Sequence, residues 1–269
     1  MKNQNFITSV FGMKNKTVIL TGSAGLLGTQ YAHVLSEAGA NVVLVDIESK
    51  KNKKLELILS KKFNTEPLSI TVDISKENEV KKLKKQVLKK YKKIDVLINN
   101  AAFTKKHPLE SSTFEKYPLE LWEETVATNL RGVFLCCKEL GKVMVEQKSG
   151  IIVNISSIYG MVGADQRIYG KSKLNSVSSY ATTKGGIINL TRFLAAHWNR
   201  RNIRVNTLSL GGVYNNQNKQ FVKNYSHRTM LGRMASRDEY NGAILFLSSD
   251  ASSYMTGANL VVDGGWTAW

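Results

Sequence analysis

Tyr180-Ala181-Thr182-Thr183-Lys184 holds the residues best placed to do chemistry in this chain. Residues four apart on a helix sit one turn above each other, so Tyr180 and Lys184 would project into one space. An ammonium beside a phenol favours the phenolate and draws the tyrosine pKa from about 10 toward neutrality. A tyrosine tuned that way exchanges a proton with an alcohol or carbonyl oxygen near pH 7. The same spacing also occurs on any solvated, lysine-rich helix face, so its context decides. Tyr169 and Lys173 form a second pair of this kind. Gly170 and the Ser/Asn-rich stretch after Lys173 do not continue a helix, whereas Tyr180 opens an apolar-periodic run through Ile187, Ile188, Leu190 and Leu194. Tyr180 is the expected proton-transfer residue.

The elements that must position this pair begin with a strand, Thr17-Val18-Ile19-Leu20, and a helical stripe of Tyr31, Ala32, Val34, Leu35 and Ala38 that ends at Gly39. Between them lies Thr21-Gly22-Ser23-Ala24-Gly25-Leu26-Leu27-Gly28. A glycine turn from strand to helix brings backbone N–H groups to the helix N-terminus, a site for the pyrophosphate of a dinucleotide. Val42 to Asp46 is the second strand. Asp46, eighteen positions beyond Gly28, can accept from the adenosine ribose hydroxyls and would repel a 2′-phosphate, which favours NAD over NADP. Lys50 and Lys51 nearby argue the other way, since either could swing toward that phosphate.

A basic helix over 50–62 leads to a third strand, Leu68 to Ile74, where Asp73 and Ile74 could flank an adenine ring. Val80, Leu83, Val87, Leu88 and Tyr91 stripe the next helix, and Ile94 to Ala102 is a fourth strand ending in Asn99, Asn100, Ala101 and Ala102. A long helix over 119–147 contains Asn129 and Gly132, both poor helix-interior residues, which predicts a local kink with a polar purpose or an exposed, tolerated defect. Ile151 to Ser157 is strand five, 158–178 a Gly/Ser/Lys-rich loop, and Ile203 to Leu208 strand six. A mobile polar stretch spans 211–233, followed by a helix over 238–247 and a strand from Asn259 to Asp263. Strands alternate with helices without a linker or repeat. This predicts one domain over 1–269: α/β, a doubly wound parallel sheet flanked by helices on both faces. Ligands bind outside the carboxyl ends of such strands, where Gly22 to Gly28, Asp46, Asp73, Asn100, Ser157 and Gly211 all fall.

Composition narrows the class. Hydrophobic residues make up 42% and charged residues 22% of 269 residues, ordinary globular usage. The two cysteines, Cys136 and Cys137, are adjacent and read as packed thiols in a reducing cytoplasm. No metal site is indicated. No apolar run reaches membrane-spanning length, and Met1 to Ile7 lacks the apolar core of a signal peptide. The net charge of +17 comes from lysines spread over surface helices without interleaved aromatics, so no specific nucleic-acid groove is expected. An anionic small substrate is a more economical use of part of that charge.

Together the motifs resemble the short-chain dehydrogenase/reductase family over roughly Lys16 to Asp263: the glycine turn, Asp73, Asn99-Asn100-Ala101, Asn129, Ser157, Tyr180 with Lys184, and Val262-Asp263-Gly264-Gly265. The resemblance implies an NAD(P)-dependent alcohol–carbonyl reaction on a Rossmann-type domain, assembled as a dimer or tetramer. It makes Tyr180 the acid/base, gives Ser157 the substrate oxygen, Lys184 the nicotinamide ribose and the tuning of Tyr180, and Asn129 a relay water. It implies cofactor contacts at Thr21, Gly22, Ser23, Gly25, Leu26, Leu27, Gly28, Asp46, Ile47, Asp73, Ile74, Asn100, Ala101, Ala102, Tyr180, Lys184, Gly211 and Val213.

The chain departs from the family pattern in four places. Leu26 stands where a glycine is usual, Ala102 ends the asparagine motif, and Leu210 replaces a proline, which loosens the loop after strand six. Tyr180 also follows Ser157 by 23 positions, where roughly half that gap is usual; Tyr169, twelve positions on, would fit it. The long loop and the Gly264-Gly265-Trp266 ending look like a branch of bacterial oxidoreductases linked to flagellin and surface-sugar modification. That implies a sugar, sugar phosphate or nucleotide sugar. Arg167, Lys171 and Lys173 on the loop and Arg228 opposite are expected to read its anionic group. The competing readings are a 3-oxoacyl reductase or epimerase, and a non-catalytic dinucleotide- or nucleic-acid-binding protein on this fold.

Overall fold

A computed structural model describes residues 5–104, 113–171 and 175–269; Lys173 lies outside them. The aliphatic runs form seven strands: β1 (Thr17–Thr21), β2 (Asn41–Asp46), β3 (Leu68–Thr71), β4 (Val96–Asn99), β5 (Gly150–Ser157), β6 (Ile203–Leu210) and β7 (Asn259–Val262). All pair in parallel, in the order β3-β2-β1-β4-β5-β6-β7. Parallel neighbours need crossovers. The helices are α1 (Phe6–Phe11), α2 (Leu26–Glu37), α3 (Ser49–Lys62), α4 (Glu77–Tyr91), α5 (Leu119–Val126), α6 (Val133–Gln147), α7 (Ser178–His197), α8 (Lys219–Ser226) and α9 (Asn241–Ser248).

Strand alternation divides the core in two. Ile19, Leu97 and Ile152 face Val80 and Val87 of α4, Leu140 of α6 and Ile187 of α7. Val18, Leu20 and Ile98 face Leu35 of α2, Leu59 of α3 and Ile244 of α9. Because β4 lies beside β1, the chain winds outward to β3, then returns to build the other half. A crevice opens at that reversal, between the carboxyl ends of β1 and β4.

Four elements differ from the sequence expectation. β6 continues to Leu210, which pairs with Ser157 on one side and Val262 on the other. Leucine keeps the N–H that a proline would lack, so the ladder runs on and the loop is not loosened there. The 211–233 stretch, expected as polar and mobile, contains α8, capped by Asn218 Oδ1, which accepts the Phe221 N–H at 2.7 Å. Phe221, Val222 and Tyr225 form its apolar side, and Tyr225 is buried. β3 and β4 are shorter than expected, ending at Thr71 and Asn99.

The glycine turn is sterically defined. A Cβ at Gly28 would overlap the Gly22 carbonyl oxygen and lie 2.8 Å from Ser23 Cα. Gly28→Ala should therefore destabilise by about 3 kcal/mol and lower Tm by roughly 5–10 °C. Gly242→Ala, in the first turn of α9 with nothing within 4 Å of the added Cβ, should raise stability by up to about 1 kcal/mol. Calorimetric melts of both variants check this; equal effects would contradict the packing of the turn.

Candidate active site

Lys184 is carried into the protein by α7 and is only 3% exposed. Its Nζ donates to the Ile155 carbonyl at 2.9 Å and lies 5.5 Å from the Tyr180 ring centroid. Burial lowers its pKa from the ordinary 10.5 to about 8. The surrounding backbone is locked: Ser156 Oγ donates to the Lys184 carbonyl at 2.8 Å. A Cβ at Gly160 would lie 2.7 Å from that same carbonyl. The end of β5 is thus pressed against the start of α7.

Tyr180 and Ser157 meet across this contact, on the wall of one cavity, close enough for the serine hydroxyl to draw the tyrosine pKa down. Ser157 Oγ accepts the Tyr159 N–H at 3.2 Å, which leaves its own proton to point at the Tyr180 oxygen. The pKa of Tyr180 departs from the sequence expectation. Burial pushes it above the ordinary value, against the Ser157 hydrogen bond that pulls it down. With its ammonium turned to Ile155, Lys184 does not offset that burial. Tyr169 ends a short 3-10 turn (Gln166–Tyr169) on the loop and does not share a helix face with Lys184.

Asn129 sits in a π-helical turn, Ala127–Gly132, between α5 and α6. The expected kink is a widened turn, and its asparagine is 0% exposed. Oδ1 accepts the Phe103 N–H at 2.6 Å and Nδ2 donates to the Phe103 carbonyl at 3.1 Å. The side chain therefore has its amide committed to the irregular segment after β4.

A cavity of 410 Å³ runs from the start of α2 to the ends of β5 and β6, bordered by Leu26, Leu27, Asn100, Ala102, Ser157, Tyr180, Lys184, Gly211 and Val213. Gly25 caps α2 without a side chain, so the first-turn N–H groups are left for a ligand. A Cβ at Gly22 would strike Ala101 Cα at 2.7 Å, and Gly22 adopts φ +66. These features fit a dinucleotide. Thr21 and Ser23 build the turn and do not line the cavity. Thr21 Oγ1 accepts the Asn100 and Ala101 N–H groups at 3.0 and 3.1 Å, and Ser23 Oγ donates to Asn52 Oδ1 at 2.7 Å. Asp46 accepts the Ala24 and Glu48 N–H groups, each at 2.9 Å, which holds its carboxylate beside the turn. Asp73 accepts from Ser75 at 2.6 Å, Ile74 is buried, and Ile47 is exposed.

Of the residues expected to read an anion, the three that are described, Arg167, Lys171 and Arg228, do not line the cavity. Arg167 is 83% exposed and pairs with Asp165 at 2.8 Å. Arg228 reaches the same carboxylate at 3.3 Å and lies over the Trp266 ring. Asp165 holds both guanidiniums together, and Lys171 is exposed. A second cavity of 270 Å³ opens beyond Tyr180, bordered by Phe103, Tyr117, Tyr159, Tyr169 and Phe221 among others. Sequence reading missed these aromatics. The spacing of Phe221 and Tyr225, one helical turn apart, was the available signal; the others lie in irregular loops with no periodicity.

Burial of Lys184 fixes a sign for stability. Between pH 8 and 10.5 the unfolded chain keeps the Lys184 proton and the native chain sheds it, so this group's contribution rises with pH. Lys184→Met removes the titration. Wild-type stability should climb relative to the variant by about 3 kcal/mol across that window, read by guanidinium denaturation at pH 7 and 10.5. Parallel curves would contradict the burial.

A family model described as enoyl-(acyl carrier protein) reductase matches residues 22–267. An NAD-dependent glycerol dehydrogenase of Listeria innocua is 32% identical, over 96% of each chain. A 3-oxoacyl-(acyl-carrier-protein) reductase of Chlamydia trachomatis is also 32% identical, over 93% of this chain and 97% of that one. The solved gluconate 5-dehydrogenase of Burkholderia cenocepacia, in complex with NADP and tartrate, superposes with TM-score 0.87 at 27% identity, over 97% of this chain and 99% of the other. Matched along almost its whole length, the chain belongs to the short-chain dehydrogenase/reductase family.

Proposed function

We propose that this oxidoreductase interconverts a secondary alcohol and a ketone, with NAD preferred over NADP. The observation that carries the reading is the meeting of Ser157, Tyr180 and Lys184 on the wall of the inner cavity, with Tyr180 also bordering the outer one. The inner cavity takes the cofactor and the outer one the substrate. Leu26, Leu27, Asn100, Lys184, Gly211 and Val213 would hold the dinucleotide, which when bound would supply the hydride acceptor and, in its oxidised form, a positive charge. In alcohol oxidation the carbinol carbon loses that hydride and its hydroxyl loses a proton to the Tyr180 oxygen. Ser157, oriented by the Tyr159 N–H, donates to the substrate oxygen and holds it there. The Lys184 charge, present below about pH 8, would favour the Tyr180 phenolate and offset its burial wherever the ammonium turns from Ile155 toward the Tyr180 ring. Asn129 is a positioning residue that acts through Phe103. The carboxylate of Asp46, fixed by two backbone N–H groups, supports the NAD preference by repelling a 2′-phosphate.

A sugar or polyol remains compatible with this reading; a phosphorylated one finds no cation on the outer wall among the described residues. The exposed Phe134 on α6 and Phe193 on α7 support a homo-oligomer. Among the described residues, no helix is long and apolar enough to cross a membrane. None of the described His, Cys, Asp and Glu side chains form a group of three or more that could hold a metal.

Tyr180→Phe should lower turnover by about 10²–10⁴-fold and leave cofactor affinity within a few-fold, because the hydroxyl moves the proton and the ring does the packing. Tyr169→Phe keeps its ring on the wall and should retain turnover; if it is the inactive variant, the reading of the site is wrong. Asp46→Ser should narrow the ratio of kcat/KM between NAD and NADP. Equal ratios in wild type and variant would remove the role given to its charge.

A further inference from the structure

Beyond β6 the chain turns through Gly211 and Gly212, which border the inner cavity together with Ser157, Tyr180 and Lys184. Leu210, just before them, pairs with Ser157 in the sheet, so the turn stands beside the reacting end of that cavity. Each of the four backbone polar groups of the two glycines has a partner. The Gly211 N–H donates to the Val262 carbonyl at 2.9 Å, and the Gly212 carbonyl accepts the Ala235 N–H at 3.1 Å. Tyrosines meet the other two. The Tyr240 hydroxyl donates to the Gly211 carbonyl at 3.1 Å, and the Tyr225 hydroxyl accepts the Gly212 N–H.

Tyr225 reaches the turn from α8, and ring and turn are in direct contact: a Cβ at Gly212 would lie 2.6 Å from Tyr225 Cζ. The ring is buried and stacked on Trp266 at 4.4 Å between centroids, which fixes it in place. Phe221 lies one helical turn earlier on α8, with its centroid 6.0 Å from that of Tyr225, and borders both cavities. Phe221 packs in turn on Tyr169 of the long loop at 5.3 Å. A line of three rings therefore runs from the loop that walls the outer cavity to the turn that walls the inner one.

We propose that Tyr225 is a positioning residue. Its hydroxyl ties α8 to the Gly212 N–H, which sets the turn as a wall of the inner cavity and joins the outer wall to the inner one. The tie rests on the geometry; the dinucleotide in that cavity rests on the oxidoreductase reading. A part-buried N–H that loses its acceptor must find another partner, so the turn opens toward water. Such an opening reshapes the wall beside Ser157 and Lys184.

The test uses Tyr225→Phe, which keeps the ring against Gly212 and Trp266 and removes the acceptor alone. Tyr91→Phe is the comparison. It also deletes a hydroxyl bonded to backbone, the Glu66 carbonyl at 2.6 Å, but from α4, bordering neither cavity. Binding of NADH and NADPH is read by nucleotide fluorescence, stability by guanidinium denaturation, and amide exchange over 211–213 by mass spectrometry. Tyr225→Phe should weaken the nucleotide that the wild type binds more tightly by on the order of tenfold, and speed exchange over 211–213 by on the order of tenfold or more. Tyr91→Phe should lower the denaturation midpoint and leave both other readouts as in the wild type. Lost stability alone does not weaken nucleotide binding by a protein that stays folded, so the affinity separates positioning from mere support. Wild-type affinity or wild-type exchange in Tyr225→Phe, or equal weakening in the two variants, would overturn the inference. A wild type that binds neither nucleotide, with exchange over 211–213 still faster in Tyr225→Phe, would leave the tie standing and overturn the oxidoreductase reading.

Discussion

An ammonium group carried out of water at the end of β5 is the constraint around which the site is arranged. Lys184 can be there only because Ile155 offers its carbonyl at 2.9 Å and because Ser156 and Gly160 press the strand end against the Lys184 backbone. A buried cation is costly, and its lowered pKa records that cost. The same contacts set Tyr180 against Ser157. Since both ends of the intervening excursion are fixed at this joint, its length is free to vary. A gap of 23 positions therefore displaces neither residue; it adds a wall.

That wall is closed by α8. Tyr225 stacks on Trp266 at 4.4 Å between centroids, and its hydroxyl accepts the Gly212 N–H. Asn224 donates to the Ile168 carbonyl at 3.1 Å, joining α8 to the long loop. Aromatic stacking and buried hydrogen bonds do more here than the ion pairs of Asp165, whose arginine partners are exposed to solvent. The opposite wall hangs on Asn129, whose buried amide replaces the partners that Phe103 would otherwise find in water. Beneath the site, Asn99, Asn154, Thr191 and Thr207 are hydrogen-bonded in series from β4 to β6. That buried chain keeps the strand ends in one register.

The sheet was legible because its strands are continuous apolar runs and its helices carry regular stripes; period alone identifies both. The glycine turn was legible because Gly22 and Gly28 meet backbone so closely that no side chain fits. Tyr180 was separable from Tyr169 because only one of them begins a helix. The arginines were misplaced for a physical reason: charge type says what a side chain can bind, and not which carboxylate already holds it. Asp165 stands two positions from Arg167, a pairing visible in the sequence, whereas its reach to Arg228 depends on the fold. The aromatic residues of the outer cavity were hidden because they come from two irregular connections, β4 to α5 and β5 to α7, and from one short helix. The raised pKa of Tyr180 was also out of reach, since spacing places Lys184 beside the ring and cannot show its ammonium turned to Ile155.

The central claim is that Tyr180 is the tyrosine whose proton moves. Ultraviolet difference titration of tyrosinate in the NAD-bound protein, wild type against Tyr180→Phe, tests it without requiring a substrate. Burial alone holds Tyr180 high, and the added positive charge of the bound cofactor should bring one tyrosine down below the ordinary value of about 10. The account predicts one early-titrating tyrosine in the wild type that is missing from Tyr180→Phe. Identical titrations for the two proteins would contradict it.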